Sequence, residues 1–501
     1  MMDTFANLAL GFSVAVTPVN LFYCLIGCLL GTLIGVLPGI GVIATLSMLL
    51  PITLHLSPVT ALIMLAGIYY GAQYGGSTTS ILVNLPGEST SVVTTIDGYQ
   101  MARQGRAGAA LAVAALGSFF AGIVATFILI LFAPPLTRLA LLFGPAEYLS
   151  LMILGLVTAV VLAHGSVVKA LAMIALGVAL GTIGTDVNTG AQRMTFGIPD
   201  LADGIGFVPL SMGLFAVAEV IRNLEQPEDR SVLGQKITSL WLSRQDFREA
   251  WPAVLRGTGI GAILGILPGS GAILASFSAY MIEKKLSRTP ERFGHGAIEG
   301  VAAPEAANNA AAQTSFIPLL TLGIPSNAVI ALMAGAMTIQ GIQPGPQVMT
   351  TRPDLFWGMI VSMLIGNAML VVINLPMIPV WVALLKIPYR LLYLGILVFC
   401  CVGVYTLNNS AFDVGLLLIF GALGYILAKL ECEPAPLLLA YILGPLMEEN
   451  LRRSMLLSGG DAMVFIARPI SLGLLLVALA MVLLSLLPTL RARRDAALDG
   501  S

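Results

Sequence analysis

Between Asp3 and Glu88 the sequence contains no Asp, Glu, Lys or Arg. A water-soluble fold needs surface charge over such a length, whereas a bilayer core takes roughly 20 apolar residues per crossing and excludes charge. Further uncharged stretches run 107–133, 257–282, 306–351, 355–385, 391–412 and 469–490, so the chain is expected to cross a membrane many times. Only 10% of its residues are charged, against about 25% in a soluble domain. The aromatic residues are scattered, and alternating segments of about ten residues, the mark of a membrane β-barrel, are missing. Helices are the spanning structure that remains. The expected fold class is an all-α polytopic membrane protein with about a dozen transmembrane helices.

With 25 basic and 26 acidic residues the net charge is −1, which offers no basic field to nucleic acid. The five Cys, an odd number in or beside apolar runs, read as small buried hydrophobes rather than a disulfide framework. No Lys or Arg precedes the first apolar run, which argues against a cleaved signal peptide and for insertion by the first helix. The largest polar interruption, 219–256, holds six basic and six acidic residues and divides the chain almost in half. The organisation expected is a first half at 1–222, a connecting loop at 223–256, a second half at 257–450, a C-terminal membrane segment at 451–490 and a tail at 491–501. Basic residues beside apolar runs place the loop and the tail, with Arg491, Arg493 and Arg494, in the cytoplasm.

The two halves contain one pattern twice. GTLIGVLPGIG at 31–41 matches GAILGILPGSG at 261–271, with six of eleven positions identical at an offset of 230. A second irregular element follows each copy, Asn84-Leu-Pro86-Gly87-Glu88 and Gly323-Ile-Pro325-Ser326-Asn327, at an offset of 239. Two paired elements in the same order read as a duplication. Pro38-Gly39 and Pro268-Gly269 interrupt apolar runs, so 40–54 and 270–283 are expected to be halves of broken helices, with backbone freed at Pro38, Gly39, Gly41, Pro268, Gly269 and Gly271. Freed backbone survives in a bilayer only where protein, water or a ligand supplies partners. Broken helices in corresponding positions of two halves point to a transporter's binding site, although Pro and Gly also merely kink packed membrane helices.

The stretch 75–91 is too polar to face lipid, and its counterpart in the second half runs from Glu305 to Asn327. Hydroxyls, amides and freed carbonyls are oxygen ligands for a small cation, and half-helix N-termini offer N–H groups to an anion. The candidate substrate and cation ligands are Ser77, Thr78, Thr79, Asn84, Pro86, Gly87, Asn308, Asn309, Thr314, Pro325, Ser326 and Asn327. The competing reading is small-residue helix packing, with Ser and Thr bonded to their own turn. Glu88, Asp97, Glu299 and Glu305 are the acids near these elements, and they suit an interface as well as a ligand role. His55, His164 and His295 lack companions at metal spacing, so no zinc site is expected. A membrane-embedded enzyme and a channel are the rival classes. The one fragment resembling a nucleophile, Gly269-Ser270-Gly271, has Ile40 at the serine's place in the other copy. No lysine follows a glycine loop to bind ATP.

At this point the sequence resembles the large membrane subunit of the bacterial tripartite tricarboxylate transporters. The resemblance rests on GTLIGVLPGIG at 31–41, YGAQYGGSTTSILVNLPGE at 70–88, DGYQMARQGRAGAAL at 97–111, GILPGSG at 265–271, PEAANNAA at 304–311 and LTLGIPSNAVIALMAGAM at 320–337. It implies a secondary active carboxylate importer in the cytoplasmic membrane, coupled to sodium or protons and using no resident cofactor. A small membrane subunit and a periplasmic solute-binding protein would be its partners. It further implies two inverted repeats whose re-entrant hairpins move as an elevator; spacing alone leaves inverted and parallel repeats open. Asn84-Leu-Pro-Gly and Ile324-Pro-Ser-Asn327 are also similar to the hairpin tips of sodium-coupled dicarboxylate transporters, where Ser and Asn touch cation and carboxylate.

Overall fold

The computed structural model describes residues 2–37, 41–162, 166–186, 189–225, 240–267, 271–385 and 389–486. Its first half runs α1 (Met2–Ala15), α2 (Pro18–Val36), α3 (Val42–Thr53), α4 (Pro58–Val83), a single 3-10 turn Ser89–Ser91, α5 (Val92–Arg103), α6 (Ala107–Ala140), α7 (Pro145–Leu162) and α8 (Val167–Gly181). A two-stranded antiparallel ribbon follows, β1 (Gly184–Thr185) paired with β2 (Gln192–Arg193). One continuous span then comprises α9 (Phe207–Ser211), a π-helical turn Met212–Val217 and α10 (Ala218–Leu224). The second half runs α11 (Arg244–Leu264), α12 (Gly271–Leu286), α13 (Glu299–Thr314), α14 (Phe316–Leu322), α15 (Ala328–Ile339), α16 (Gln347–Thr351) and α17 (Pro353–Asn374). It continues through α18 (Ile378–Leu384), α19 (Tyr389–Asn408), α20 (Ala411–Lys429), α21 (Ala435–Leu457), α22 (Val464–Ala467) and α23 (Pro469–Leu486).

The protein is an all-helical, multi-pass membrane protein. Five described helical segments are long and apolar enough to cross a bilayer alone: Pro18–Val36, Ala107–Ala140, Phe207–Leu224, Pro353–Asn374 and Ala411–Lys429. Shorter apolar helices, among them α3, α8 and α15, make up the other runs. The uncharged run 355–385 divides into α17 and α18 around Pro376, and α8 stops at Gly181, shortly before the ribbon begins at Gly184. Helix starts follow local chemistry. Thr17 and Ser57 accept N–H bonds from Asn20 and Thr60, each followed by Pro at the first helical position. That pairing satisfies a free donor and needs no N–H where proline has none.

The helix of the first motif ends at Val36 and the next begins at Val42; in the second motif the ends are Leu264 and Gly271. An interruption therefore stands at both expected places. Pro38 and Gly39, like Pro268, Gly269 and Ser270, lie outside the described residues. Gly41 is half-buried and Gly271 is buried.

Glycines decide how the centre packs. Gly27, Gly31 and Gly35 of α2 lie against Met64, Ile68 and Ala72 of α4, while Gly257, Gly261 and Gly265 of α11 lie against Ala303, Ala307 and Ala311 of α13. The glycines correspond at an offset of 230 and their partners at 239, the two offsets that align the motifs. A Cβ on Gly31 would stand 2.8 Å from the Cα of Ile68, and one on Gly261 2.8 Å from the Cα of Ala307. Small residues at four-residue spacing let membrane helices meet backbone to backbone. Within these two pairs, α4 is buried from Val59 to Val83 and α13 from Gly300 to Thr314. The halves interlock: α13 packs on α6, α5 and α4 as well as on α11 and α12, and α17 packs on α2 and α4.

Charge sits in the polar segments. Arg193 of the ribbon bonds Asp186 and Glu448, and Arg452, one turn beyond Glu448 on α21, bonds the same two acids. Arg193, and then Arg452, hold the Glu448 carboxyl below the usual carboxylate value. At the ribbon's far end Phe196 is 83% exposed.

Candidate functional site

The polar end of α4 is buried, and its hydroxyls have distinct jobs. Thr79 donates to the carbonyl oxygens of Val36 at 2.8 Å and Gly35 at 3.3 Å, satisfying the end of α2 where the first motif interrupts it. Thr78 bonds back to the Tyr74 carbonyl at 3.3 Å, as membrane-helix threonines do. Ser77 has two acceptors in reach, the Gln73 carbonyl at 3.0 Å and Glu305 Oε2 at 2.5 Å. The helix then ends on Asn84 at φ 59°, left-handed backbone that asparagine tolerates better than most residues. Asn84 and Pro86 are exposed and Gly87 is buried, with no room for a Cβ, which would lie 2.7 Å from the Cα of Gly76.

The second tip repeats this plan. Its helix ends on Gly323 at φ 74°, the equivalent of Asn84 at the 239 offset. A serine hydroxyl closes each tip across eleven residues: Ser80 donates to the Ser91 carbonyl at 3.0 Å, and Ser326 to the Ser315 carbonyl at 3.1 Å. Pro325 and Ser326 are buried. Asn327 caps α15, its Oδ1 accepting the Ile330 N–H at 2.9 Å. Thr314 bonds back to the Ala310 carbonyl at 3.1 Å. Asn309 donates to Ser118 Oγ at 2.7 Å and to the Glu305 carbonyl at 3.1 Å, tying α13 to α6. Asn308 is 1% exposed, yet neither its Oδ1 nor its Nδ2 has a hydrogen-bond partner.

Several contacts join the two halves in this region. Tyr69 of α4 packs on Phe316 of α14, ring centroids 6.3 Å apart, and the turn Ser89–Ser91 packs on α12 and α13. Glu305 stands between the halves, its Oε2 2.5 Å from Ser77 Oγ of α4 and its Oε1 accepting from Thr94 of α5. Glu88 accepts from Gln73 Nε2 at 3.2 Å while its Oε2 is unpartnered, and Gln73 Oε1 accepts from Thr90 at 2.8 Å. Neither Glu88 nor Glu305 forms an ion pair among the described residues. Beside them a small cleft is lined by Tyr74, Ser77, Thr78, Ser118 and Asn374, and Asn374 Oδ1 is another buried acceptor without a partner.

The geometry thus separates the candidates. Ser77 reaches Glu305 across the halves, Asn308 is buried and unpartnered among the described residues, Ser326 and Asn327 build the second tip, Thr79 and Thr314 serve the backbone, and the Asn84 side chain makes no described hydrogen bond. Asp97 is structural: its Oδ1 accepts the N–H groups of Gly294, Gly296 and Ala297 at 2.8–2.9 Å, and its Oδ2 the Tyr280 hydroxyl at 2.9 Å. Glu299 has an Arg292 guanidinium at 3.8 Å. Sequence reading overlooked Tyr69, Gln73, Tyr74, Asn367 and Asn374. Asn367 and Asn374 stand seven residues apart on the apolar α17, a spacing that keeps them on one face. Tyr74 donates to Asn367 Oδ1 at 2.8 Å, and Asn374 lies 3.4 Å from Thr32.

A polytopic helical protein whose two halves each end a buried polar helix in a broken turn at the same register is built as a membrane transport protein. Residues 21–439 match the tripartite tricarboxylate transporter TctA family, and the chain belongs to that family. It is a subunit of a tricarboxylate transporter, from a family of transporters rather than of enzymes. It is 60% identical over 495 residues, 99% of both chains, to an uncharacterised 52.8 kDa protein in the TAR-I ttuC′ 3′ region of Agrobacterium vitis. A second protein of that organism, from the TAR-II ttuC′ 3′ region, is 58% identical over 235 residues, which is 47% of this chain and 97% of the relative. No solved structure matches the chain.

Proposed function

We propose that this chain is the large membrane subunit of a cation-coupled secondary active importer of tricarboxylates or related carboxylates in the bacterial cytoplasmic membrane. A small membrane subunit accompanies it, and a periplasmic binding protein delivers the substrate. The observation that carries this reading is the pair of tips, 84–88 and 323–327, built alike at an offset of 239, with the buried amide of Asn308 on the segment leading to the second tip unpartnered among the described residues. The two halves act as inverted repeats, and their tips shift together as an elevator. Ser77, Asn308, Ser326 and Asn327, with the N-terminal end of α15, are the groups offered to the carboxylate and its cation. Neither tip contains Lys or Arg to seize a dilute anion. Modest intrinsic affinity follows, and an external receptor compensates by raising the local substrate concentration.

The test is uptake into proteoliposomes holding both membrane subunits under an imposed sodium or proton gradient, with and without the loaded binding protein. Accumulation above equilibrium that needs the binding protein is expected. Uptake that only equilibrates would favour a channel, and equal rates without the binding protein would remove the tripartite mode.

A further inference from the structure

The carboxyl of Glu305 is held by a set of groups that suits one protonation state. Thr94 donates to Oε1 and Ser77 faces Oε2 at 2.5 Å, while Ser77 also faces the Gln73 carbonyl at 3.0 Å. A serine hydroxyl has one hydrogen to give. If Glu305 is ionised, Ser77 must spend that hydrogen on Oε2, and its contact with the Gln73 carbonyl carries none. If Oε2 bears a proton, it donates to Ser77 Oγ, Ser77 donates to the Gln73 carbonyl, and Thr94 still donates to Oε1. Every contact then has its hydrogen.

Charge points the same way. Glu305 is 1% exposed and forms no ion pair among the described residues, and burying an unpaired carboxylate is costly. Among the described residues, none of the ionisable groups on the elements around it pairs with it, and Glu88 keeps one oxygen unpartnered. On α4 they are Tyr69, Tyr70 and Tyr74. The Ser89–Ser91 turn brings Glu88, bonded to Gln73, and α5 brings Asp97, held by Tyr280 and three N–H groups. Glu283 of α12 pairs with Arg256 of α11, and Glu299 on α13 itself lies near Arg292. From α6 the neighbour is Ser118, 3.5 Å from the Glu305 carbonyl. Ser77, whose hydroxyl bonds Glu305, also lines the small cleft. One turn along α13, Asn308 presents an unpartnered, buried amide.

We infer that Glu305 is the site of the coupling ion and that the ion is a proton, taken up on Oε2 through the Ser77 hydroxyl and released when the halves rearrange. This deepens the proposed importer reading and rests on it. Each cycle forms an O–H bond on Glu305 with a proton from one side and returns that proton to water on the other.

Two measurements test it. The first needs no substrate: infrared difference spectra of purified wild type and Glu305→Gln at neutral pH. A carboxylic-acid carbonyl band present in wild type and absent from the variant is expected; its absence from wild type overturns the assignment. In the second, the assembled transporter is reconstituted and a panel of radiolabelled di- and tricarboxylates is offered. Wild type should accumulate substrate under a pH gradient. Glu305→Gln, whose amide mimics the protonated acid, should lose that accumulation and exchange carboxylate at a rate independent of pH. Wild-type accumulation driven by sodium alone, or a variant that still follows the pH gradient, overturns proton coupling at this residue. If wild type neither accumulates nor exchanges any carboxylate, the importer reading falls while the infrared result still reports on the proton.

Discussion

Gly259 and Gly261 lie two residues apart on α11, and alanine at the two positions is expected to act in opposite directions. A Cβ on Gly259 meets nothing within 4 Å, so the change there only removes the conformational freedom of glycine. Up to about 1 kcal/mol of helix stabilisation is the scale of that gain. A Cβ on Gly261 would lie 2.2 Å from the backbone carbonyl oxygen of Ala307, where ordinary contact begins at 3.4 Å. To make room, α11 and α13 must part by about 1.2 Å, and a gap of that size forfeits about half of the dispersion energy of each contact along the seam. Overpacking of this kind costs about 1–3 kcal/mol, and because both variants share the helix gain they should differ by about that amount. Unfolding of the purified variants in one detergent, followed by circular dichroism, measures the difference directly. Gly261→Ala should unfold at lower temperature than wild type and Gly259→Ala at the same or a higher one. Equal destabilisation by both would refute the backbone-to-backbone seam.

Asn327→Ala should cost about 1 kcal/mol by uncapping α15, and serine at the same position should restore stability; transport that stays low in a restored Ser variant would assign the amide to the substrate rather than to the cap. Asp97→Ala strands the N–H groups of Gly294, Gly296 and Ala297, at about 1–3 kcal/mol for each donor left unsatisfied. It should therefore lower the yield of folded protein, while the KM of the protein that does fold stays at the wild-type value. Because Glu448 is held below its usual value of 4.5, its ion pairs stabilise the folded chain above that pH and are lost as pH falls through the depressed value. The loss is under about 1 kcal/mol for such exposed pairs, and Glu448→Gln should flatten that limb of a thermal-stability profile. A crossing by Phe207–Leu224, which is long and apolar enough for one, sets the ribbon before it and the chain that follows it on opposite faces, the latter cytoplasmic by its basic residues. Thr189→Cys in a Cys-free background should accordingly react with an impermeant thiol reagent outside intact cells, and Gly234→Cys should not; the reverse pattern would invert the topology.

Membrane class was legible because apolar length is a local property, written in each uncharged run. The two interruptions were legible for a similar reason, since Pro-Gly ends a helix whatever surrounds it. What the glycines do was hidden: the motif at 31–41 reads as a signature, yet its role depends on Ile68 and Ala72, which only the folded chain brings opposite. The same distance effect hid the ribbon, whose Arg193 is held by Glu448 from the other half. Among the hydroxyls, composition could not tell Thr79, which serves the Val36 carbonyl, from Ser77, which faces Glu305, because both are buried threonine-like donors on one helix. Asn367 and Asn374 were in plain view as amides on an apolar helix, and their seven-residue spacing was the signal to follow.

The seams between α2 and α4 and between α11 and α13 also set where the molecule is stiff. Helices that touch through long side chains have a compliant layer between them, because rotamers give way under load. Backbone pressed on backbone has no such cushion. With 26 residues, α4 is about 39 Å long, and α2 braces it along the stretch from Met64 to Ala72. A displacement imposed near Ser57 is therefore delivered at Asn84 with little lost to bending, as along a braced strut. Thermal bending is correspondingly small within each pair, and strain gathers in the turns at 84–88 and 323–327, where the strut ends and the polar groups begin.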